Sequence, residues 1–236
     1  MFMPGMYYYG FDLSYLILVL PAVILAFWAQ INVKNTFSKY SKIASWRGMT
    51  GYDSARRILD ANGLTGVRIE KVSGDLTDHF NPKDNTVYLS DTVYSVSSAA
   101  AVGVAAHEAG HAVQYAVGYT PMKIRSAIIP VTNIGSNLAM PLVLLGIVLG
   151  FEALAYIGVA AFGLSTIFQL VTLPVEFNAS SRAMKALEGA GIDNDGLKSA
   201  RRVLTAAALT YVAALAVSLA NLIRIFLVAK RGSRRR

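Results

Sequence analysis

The chain of 236 residues is 54% hydrophobic and 15% charged, against roughly 25% charged in a soluble domain, which excludes an ordinary soluble protein. Basic residues outnumber acidic ones 22 to 14, but no basic patch interleaves with aromatics, which points the +8 surplus to anionic headgroups rather than nucleic acid. Cysteine is absent, which excludes disulfides and thiolate metal ligands.

In chain order, "LSYLILVLPAVILAFWA" (Leu13 to Ala29) is the first stretch suited to the bilayer, which takes about 20 apolar residues per helix. No basic residue precedes it and no small-residue cleavage motif follows, so residues 1–30 read as an N-terminal membrane anchor rather than a signal peptide. Residues 51–63, "GYDSARRILDANG", have the pattern of a short amphipathic helix stopped at Asn62-Gly63. "VRIEKV" (Val67 to Val72) alternates as a half-buried strand does. "LTDHF" and "TVYLS", separated by the turn-rich "NPKDN", read as a β-hairpin, so a small antiparallel sheet is expected there. The next helix carries "VAAHEAGHAVQYA" (104–116), with Ser95 or Ser97 as its N-cap and an end near Gly118, before Pro121. Its Ala and Gly residues let neighbouring backbone come close. Residues 31–127 form the domain around it.

Two more apolar stretches, Ile128 to Leu149 and Ala153 to Leu173, are joined only by "GFE" and make a transmembrane hairpin over 128–174. Pro174 signals the start of a new helix, and 175–202 reads as that helix and a polar loop. A fourth apolar segment, about Val203 to Val228, leads into the basic tail "AKRGSRRR" within 203–236.

Orientation follows from the basic residues. Lys34, Lys39, Lys42 and Arg47 follow the first span, while Asp12 is the one charge before it. Lys123 and Arg125 precede the hairpin, and Arg182, Lys185, Lys198, Arg201 and Arg202 follow it; the tip carries only Glu152. The positive-inside rule then places the N-terminus outside and residues 31–127 and 175–202 in the cytoplasm. A spanning fourth segment makes the tail an exception to the rule.

His107 and His111, four apart on a helix, share one face and can point at a single ion. Glu108 leans over the same site, where it can take a proton from water that a zinc ion polarises. With three His and five Glu in the chain, this pattern arises by chance about once in a thousand such sequences. A catalytic zinc needs a third protein ligand and an open position. His79 is the one remaining histidine, on the hairpin strand. Glu176, just past the third span and on the side of His107, is the stronger candidate. Glu152 sits on the opposite side, and Glu188, Asp193 and Asp195 fall in a Gly-rich polar stretch. The competing reading of Glu176 is a first-turn acid favoured by the helix dipole.

"AAHEAGHAVQYA", with "GYDSARRILDANGL" and "GDLTDHFNPKDNTVYLS" before it and "LPVEFNASSRA" after the hairpin, resembles the bacterial neutral zinc metallopeptidases of the YugP type. The resemblance runs from about Gly51 to Arg202. It implies a membrane-embedded zinc peptidase of the gluzincin group, with His107, His111 and Glu176 as ligands and Glu108 as general base. The fold class is then a zincin-like α+β catalytic domain, a small antiparallel sheet plus the motif helix, embedded in a mainly α-helical membrane protein with about four hydrophobic segments. More distantly the chain is similar to heat-shock membrane proteases and prenyl-protein proteases, which carry a Glu-x-x-x-Asp ligand segment. Here the position four after Glu176 is Ser180, so the acid that orients a ligand histidine is missing, and Asn178 or another residue is expected to orient it instead.

A strand beside such a helix binds substrate by β-augmentation, and Thr86 to Ser90 is the candidate edge, with Val87, Tyr88 and Leu89 as substrate-binding residues. His79 beside it has two readings, a stabiliser of the tetrahedral oxyanion or an ordinary strand residue. The function expected is hydrolysis of peptide or protein substrates, membrane proteins among them, with Zn²⁺ as cofactor, in a bacterial cell membrane. The rival readings are an intramembrane-cleaving protease, for which "NDG" at Asn194 resembles an Asp-Gly ligand motif, and a non-catalytic zinc-binding scaffold. Intact Glu108 argues against the second, since a structural site needs no base.

Overall fold

The computed structural model describes residues 14–233; Asp12, Leu13 and the arginines 234–236 of the tail lie outside the described residues. A π-helical turn, Tyr15–Val19, leads into α1, Leu20–Tyr40, so the first helix extends well beyond its apolar run. α2, Gly51–Ala61, starts on a capping box: the Thr50 hydroxyl accepts from the Asp53 amide at 3.1 Å, and the Asp53 carboxylate accepts from the Thr50 amide at 3.0 Å. These bonds satisfy two of the donors a helix N-terminus leaves open. α2 ends where Asn62 caps it and Gly63 takes φ +71°, a left-handed turn that glycine adopts without strain.

Three short strands follow: β1, Arg68–Val72; β2, His79–Asn81; and β3, Thr86–Ser90. β2 and β3 form the expected antiparallel hairpin, but β1 lies parallel on the other side of β3, giving the order β1-β3-β2. The sheet is therefore mixed, not antiparallel. The reason is the connection 73–78, which carries the chain past β3 before β2 begins, so β1 and β3 run the same way. This also overturns the expectation that Thr86–Ser90 is an open edge. Its backbone is paired with β1 along all five residues and with β2 from Thr86 to Tyr88, and Val87 and Leu89 are fully buried.

The motif helix is α3, Ala99–Ala116, capped by Ser98 rather than Ser95 or Ser97. The Ser98 hydroxyl accepts from the Ala101 amide at 3.2 Å, the N3 spacing that capping requires; Ser97 instead donates to the Gly48 carbonyl. α4, Thr120–Leu149, α5, Glu152–Gly189, and α6, Asn194–Ser233, complete the chain. α5 passes through Pro174 without a break. Proline costs one backbone bond there but does not start a helix, so Glu176 is a mid-helix residue, not a first-turn acid. Likewise 194–202 is the first part of α6, not a loop. Tyr15–Tyr40, Thr120–Leu149, Glu152–Gly189 and Asn194–Lys230 are each long and apolar enough to cross a membrane.

The chain divides into two compact units. One gathers the described residues through Trp28, Ala127–Leu170 and those from Val212 on. Its helices meet at Val143, Ala155, Val159, Ile225 and Ala229, and the Thr166 and Ser218 hydroxyls lie 2.9 Å apart in its interior. Such small-residue and hydroxyl contacts hold helices together where lipid removes the hydrophobic drive. The other unit comprises Ala29–Ser126 and Val171–Tyr211. Its core includes Leu59, Val87, Leu89, Val93 and Leu187 around the Ala-rich body of α3. Truncating Leu59 or Leu187 to Ala in such a core costs about 2–5 kcal/mol.

Candidate metal centre

The centre lies wholly within the second unit. α3 is buried on nearly every side, which is why its residues are Ala and Gly rather than a polar stripe. Where it meets α5 stands Gly110: a Cβ there would sit 2.8 Å from the Ala179 carbonyl oxygen. At Gly103 a Cβ would meet the Ala200 backbone only at an ordinary contact of 3.4 Å. The glycine inside the His-Glu-Ala-Gly-His run thus permits the backbone approach that brings α5 under both histidines.

Glu176 is the residue delivered. Its Oε2 lies 3.2 Å from His107 Nε2 and 3.5 Å from His111 Nε2, and the three side chains offer ligand atoms all within 4.8 Å of one another. A tetrahedral ion with bonds of about 2.1 Å has ligand–ligand edges of roughly 3.4 Å, so the spacing fits a single zinc-sized cation. The other carboxylate oxygen, Oε1, is 3.3 Å from Arg125 Nη1, leaving one oxygen for the metal position.

The hydrogen bonds behind the histidines fix which nitrogen faces inward. Gln114 Nε2 donates to the Val175 carbonyl at 2.8 Å and to Asn178 Oδ1 at 3.0 Å. Its Oε1 must therefore accept the Nδ1–H of His111, 3.0 Å away, and Nε2 of that ring is left to face Glu176. On the other side Ser180 Oγ lies 3.1 Å from His107 Nδ1. When Ser180 Oγ accepts the Nδ1–H of His107, two imidazole nitrogens and a carboxylate oxygen converge as acceptors at these distances, an arrangement a divalent cation can satisfy. Burial opposes the imidazolium of His111 most strongly, but the hydrogen bond to Glu176 and the charges of Glu108 and Glu176 outweigh it and raise its pKa. The negative field that favours a proton there equally favours a metal ion.

Glu108 is buried beside this set, and among the described residues no side chain or backbone group hydrogen-bonds or ion-pairs with its carboxylate. Its oxygens are not among the fully enclosed, partnerless atoms of the described residues, so the carboxylate stays open to water next to the candidate ligands.

Four residues around the centre were not assigned to it by the sequence. Gln114 stands three residues after His111, a spacing that could have flagged it. Arg125 counted only toward orientation. The Tyr211 hydroxyl stands within the field of both Glu176 and Glu108; no local pattern points to it. Asp78 takes bonds from the Ser90 amide at 2.7 Å and hydroxyl at 2.9 Å. Burial, with the charge of Glu108 added, raises its pKa against those bonds.

His79 is not brought to the cluster. It is exposed on β2, its ring stacked on Tyr88 with centroids 4.9 Å apart, and its Nδ1 is 2.8 Å from the Thr77 carbonyl. Asp195, of the "NDG" motif, is exposed at the start of α6 and pairs with Lys198.

The chain combines four helices long and apolar enough to cross a membrane with a largely buried two-histidine, one-glutamate cluster that could hold a metal ion. The family model described as "Putative neutral zinc metallopeptidase" matches residues 15–230, and the chain belongs to that family. It is 46% identical over 219 residues, 92% of this chain and 97% of the relative, to a protein of Bacillus subtilis (strain 168) described as "Putative membrane protease YugP". No solved structure matches the chain.

Proposed function

We propose that this protein is a gluzincin that hydrolyses peptide bonds, with His107, His111 and Glu176 holding zinc and Glu108 acting as general base. The observation that supports this is Glu108: mostly buried, with no protein partner on a carboxylate that water can reach, and adjacent in the chain to one of the three converging side chains. A structural zinc site closes with four ligands and has no use for a free carboxylate. Zinc, when bound, supplies a Lewis acid for the scissile carbonyl and lowers the pKa of water towards neutrality. Glu108 takes the proton of the attacking water and delivers it to the leaving amine. Gln114 and Ser180 hold the two imidazoles in the orientation that presents Nε2, and Arg125 neutralises the Glu176 oxygen not turned to the metal.

The oxyanion donor in this reading is Tyr211 rather than His79, because its hydroxyl lies in the field of Glu176 and Glu108 while His79 is exposed on β2 outside the cluster. An extended peptide would add to β2, an outer strand of the sheet, rather than to the central β3. The catalytic side is the cytoplasmic one, as the basic residues indicate.

The decisive variant is Glu108→Gln, assayed with an unfolded protein such as casein in detergent. Zinc content and fold are retained while hydrolysis falls about 100- to 10,000-fold. Activity within a few-fold of wild type would sink the mechanism.

A further inference from the structure

We propose that the outward face of α4 is the contact surface for a second copy of this chain, joined through Asn133 and Asn137. One side of α4 is consumed inside its own unit: Thr132, Ala139 and Val143 are buried, a Cβ on Gly146 would collide with the Ala155 backbone, and one on Gly135 would stand tight against the Ala161 carbonyl oxygen at 3.1 Å. At 100° per residue, Asn133 and Asn137 fall on the opposite side, and both are exposed. Among the described residues neither side-chain amide has a hydrogen-bond partner; Ser136 reaches only the Asn133 backbone carbonyl.

Their depth makes this exposure costly. At a rise of about 1.5 Å per residue, Asn137 lies roughly 18 Å along the helix from Arg125, the last charge before the span, close to the middle of a ~30 Å hydrocarbon core. Two prolines of α4, Pro130 and Pro141, add to the cost. Lacking N–H groups, they leave the Ser126 and Asn137 carbonyls without their helical donors. Lipid can supply neither donor nor acceptor at that depth.

A second copy can supply both. An amide is donor and acceptor at once, so an Asn facing its own copy across a twofold axis is satisfied reciprocally, and a twofold interface is self-complementary by construction. All copies of a membrane protein insert with the same orientation. An axis along the membrane normal therefore sets two α4 helices parallel, with each Asn opposite its counterpart. The rest of the face is apolar, with Ile134, Leu144 and Val148 exposed around the amides. That suits a packed helix pair and not the wall of a water-filled path. No charge on the face selects a partner of opposite sign.

The natural chain has no cysteine, so the test uses single-cysteine variants of the full chain, purified and reconstituted in lipid vesicles. Under mild oxidation Asn137→Cys and Asn133→Cys form a covalent dimer, while Val131→Cys, which is 54% exposed on the flank of the same helix, does not. Equal cross-linking at Val131, or none at either Asn position, overturns the proposal. The double variant Asn133→Leu/Asn137→Leu keeps an apolar span of similar size and weakens dimerisation about tenfold or more, measured by energy transfer between labelled chains. A wild-type chain that stays monomeric, or a double variant that dimerises equally well, also overturns it. So does cross-linking in native membranes to a different protein with no homodimer, which assigns the face to a heterologous partner.

Discussion

Ser180 Oγ lies 3.1 Å from Nδ1 of His107, one helical turn beyond Glu176 on the same face of α5. A Glu-x-x-x-Asp segment would carry an aspartate at this position, and here a hydroxyl meets the histidine in its place. The other histidine is held by a longer route, from Arg182 through Asn178 and Gln114 to His111. Ser180→Ala removes the first support and should weaken zinc binding about 10- to 100-fold, whereas Ser180→Asp should restore it. Competition with a chelator measures this. An unchanged affinity in Ser180→Ala would show that the contact does not orient the ring.

Glu176→Ala leaves two histidines, too few to hold the ion well. Zinc content and proteolysis should collapse together. Exposed Glu188 and His79 contribute no ligand atom to the cluster, so alanine at either should leave zinc at the wild-type level by elemental analysis. Full zinc in Glu176→Ala with loss in His79→Ala would replace the ligand set.

Gly110→Ala tests the approach of the two helices. In an open helix this change gains about 0.5–1 kcal/mol. Here the added methyl would stand 2.8 Å from the Ala179 carbonyl oxygen, and overpacking of that kind costs about 1–3 kcal/mol. Thermal unfolding should shift down and zinc affinity should fall. Gly189→Ala, with no atom within 4 Å of the new methyl, should be neutral or stabilising. A stabilised Gly110→Ala would mean that α3 and α5 part without strain.

Orientation is open to thiol labelling in intact cells. Cysteines at Lys42 and Lys198, both exposed, should be protected from an impermeant reagent, while one at Phe151, in the α4–α5 connection, should react. Lys198 is the better probe than its neighbour Ser199, which is buried and hydrogen-bonded to Asp195. Reaction at Lys42 and Lys198 with protection at Phe151 would place the catalytic side outside. A cysteine at Ser233 reports the side of the basic tail.

What the sequence determined by itself is whatever rests on short-range periodicity. Histidines four apart must share a helix face, so His107, His111 and Glu108 were legible as a unit. Apolar runs of bilayer length declared four helices long and apolar enough to cross a membrane, and Asn62-Gly63 declared the end of α2. Glu176 was reachable because two apolar runs joined by three residues were expected to turn the chain back towards α3. Tertiary structure alone decided the rest. Gln114 meets Val175, and Ser180 meets His107, across separations of 61 and 73 residues; nothing local in the chain encodes such a meeting. The parallel pairing of β1 with β3 depends on which side of a strand the chain chooses, and alternation looks the same either way. Pro174 misled because a proline that ends an isolated helix is tolerated inside one whose neighbours hold it. Tyr211 and Arg125 reach the centre only because packing turns their helices towards it, a rotation that no run of residues within either helix specifies.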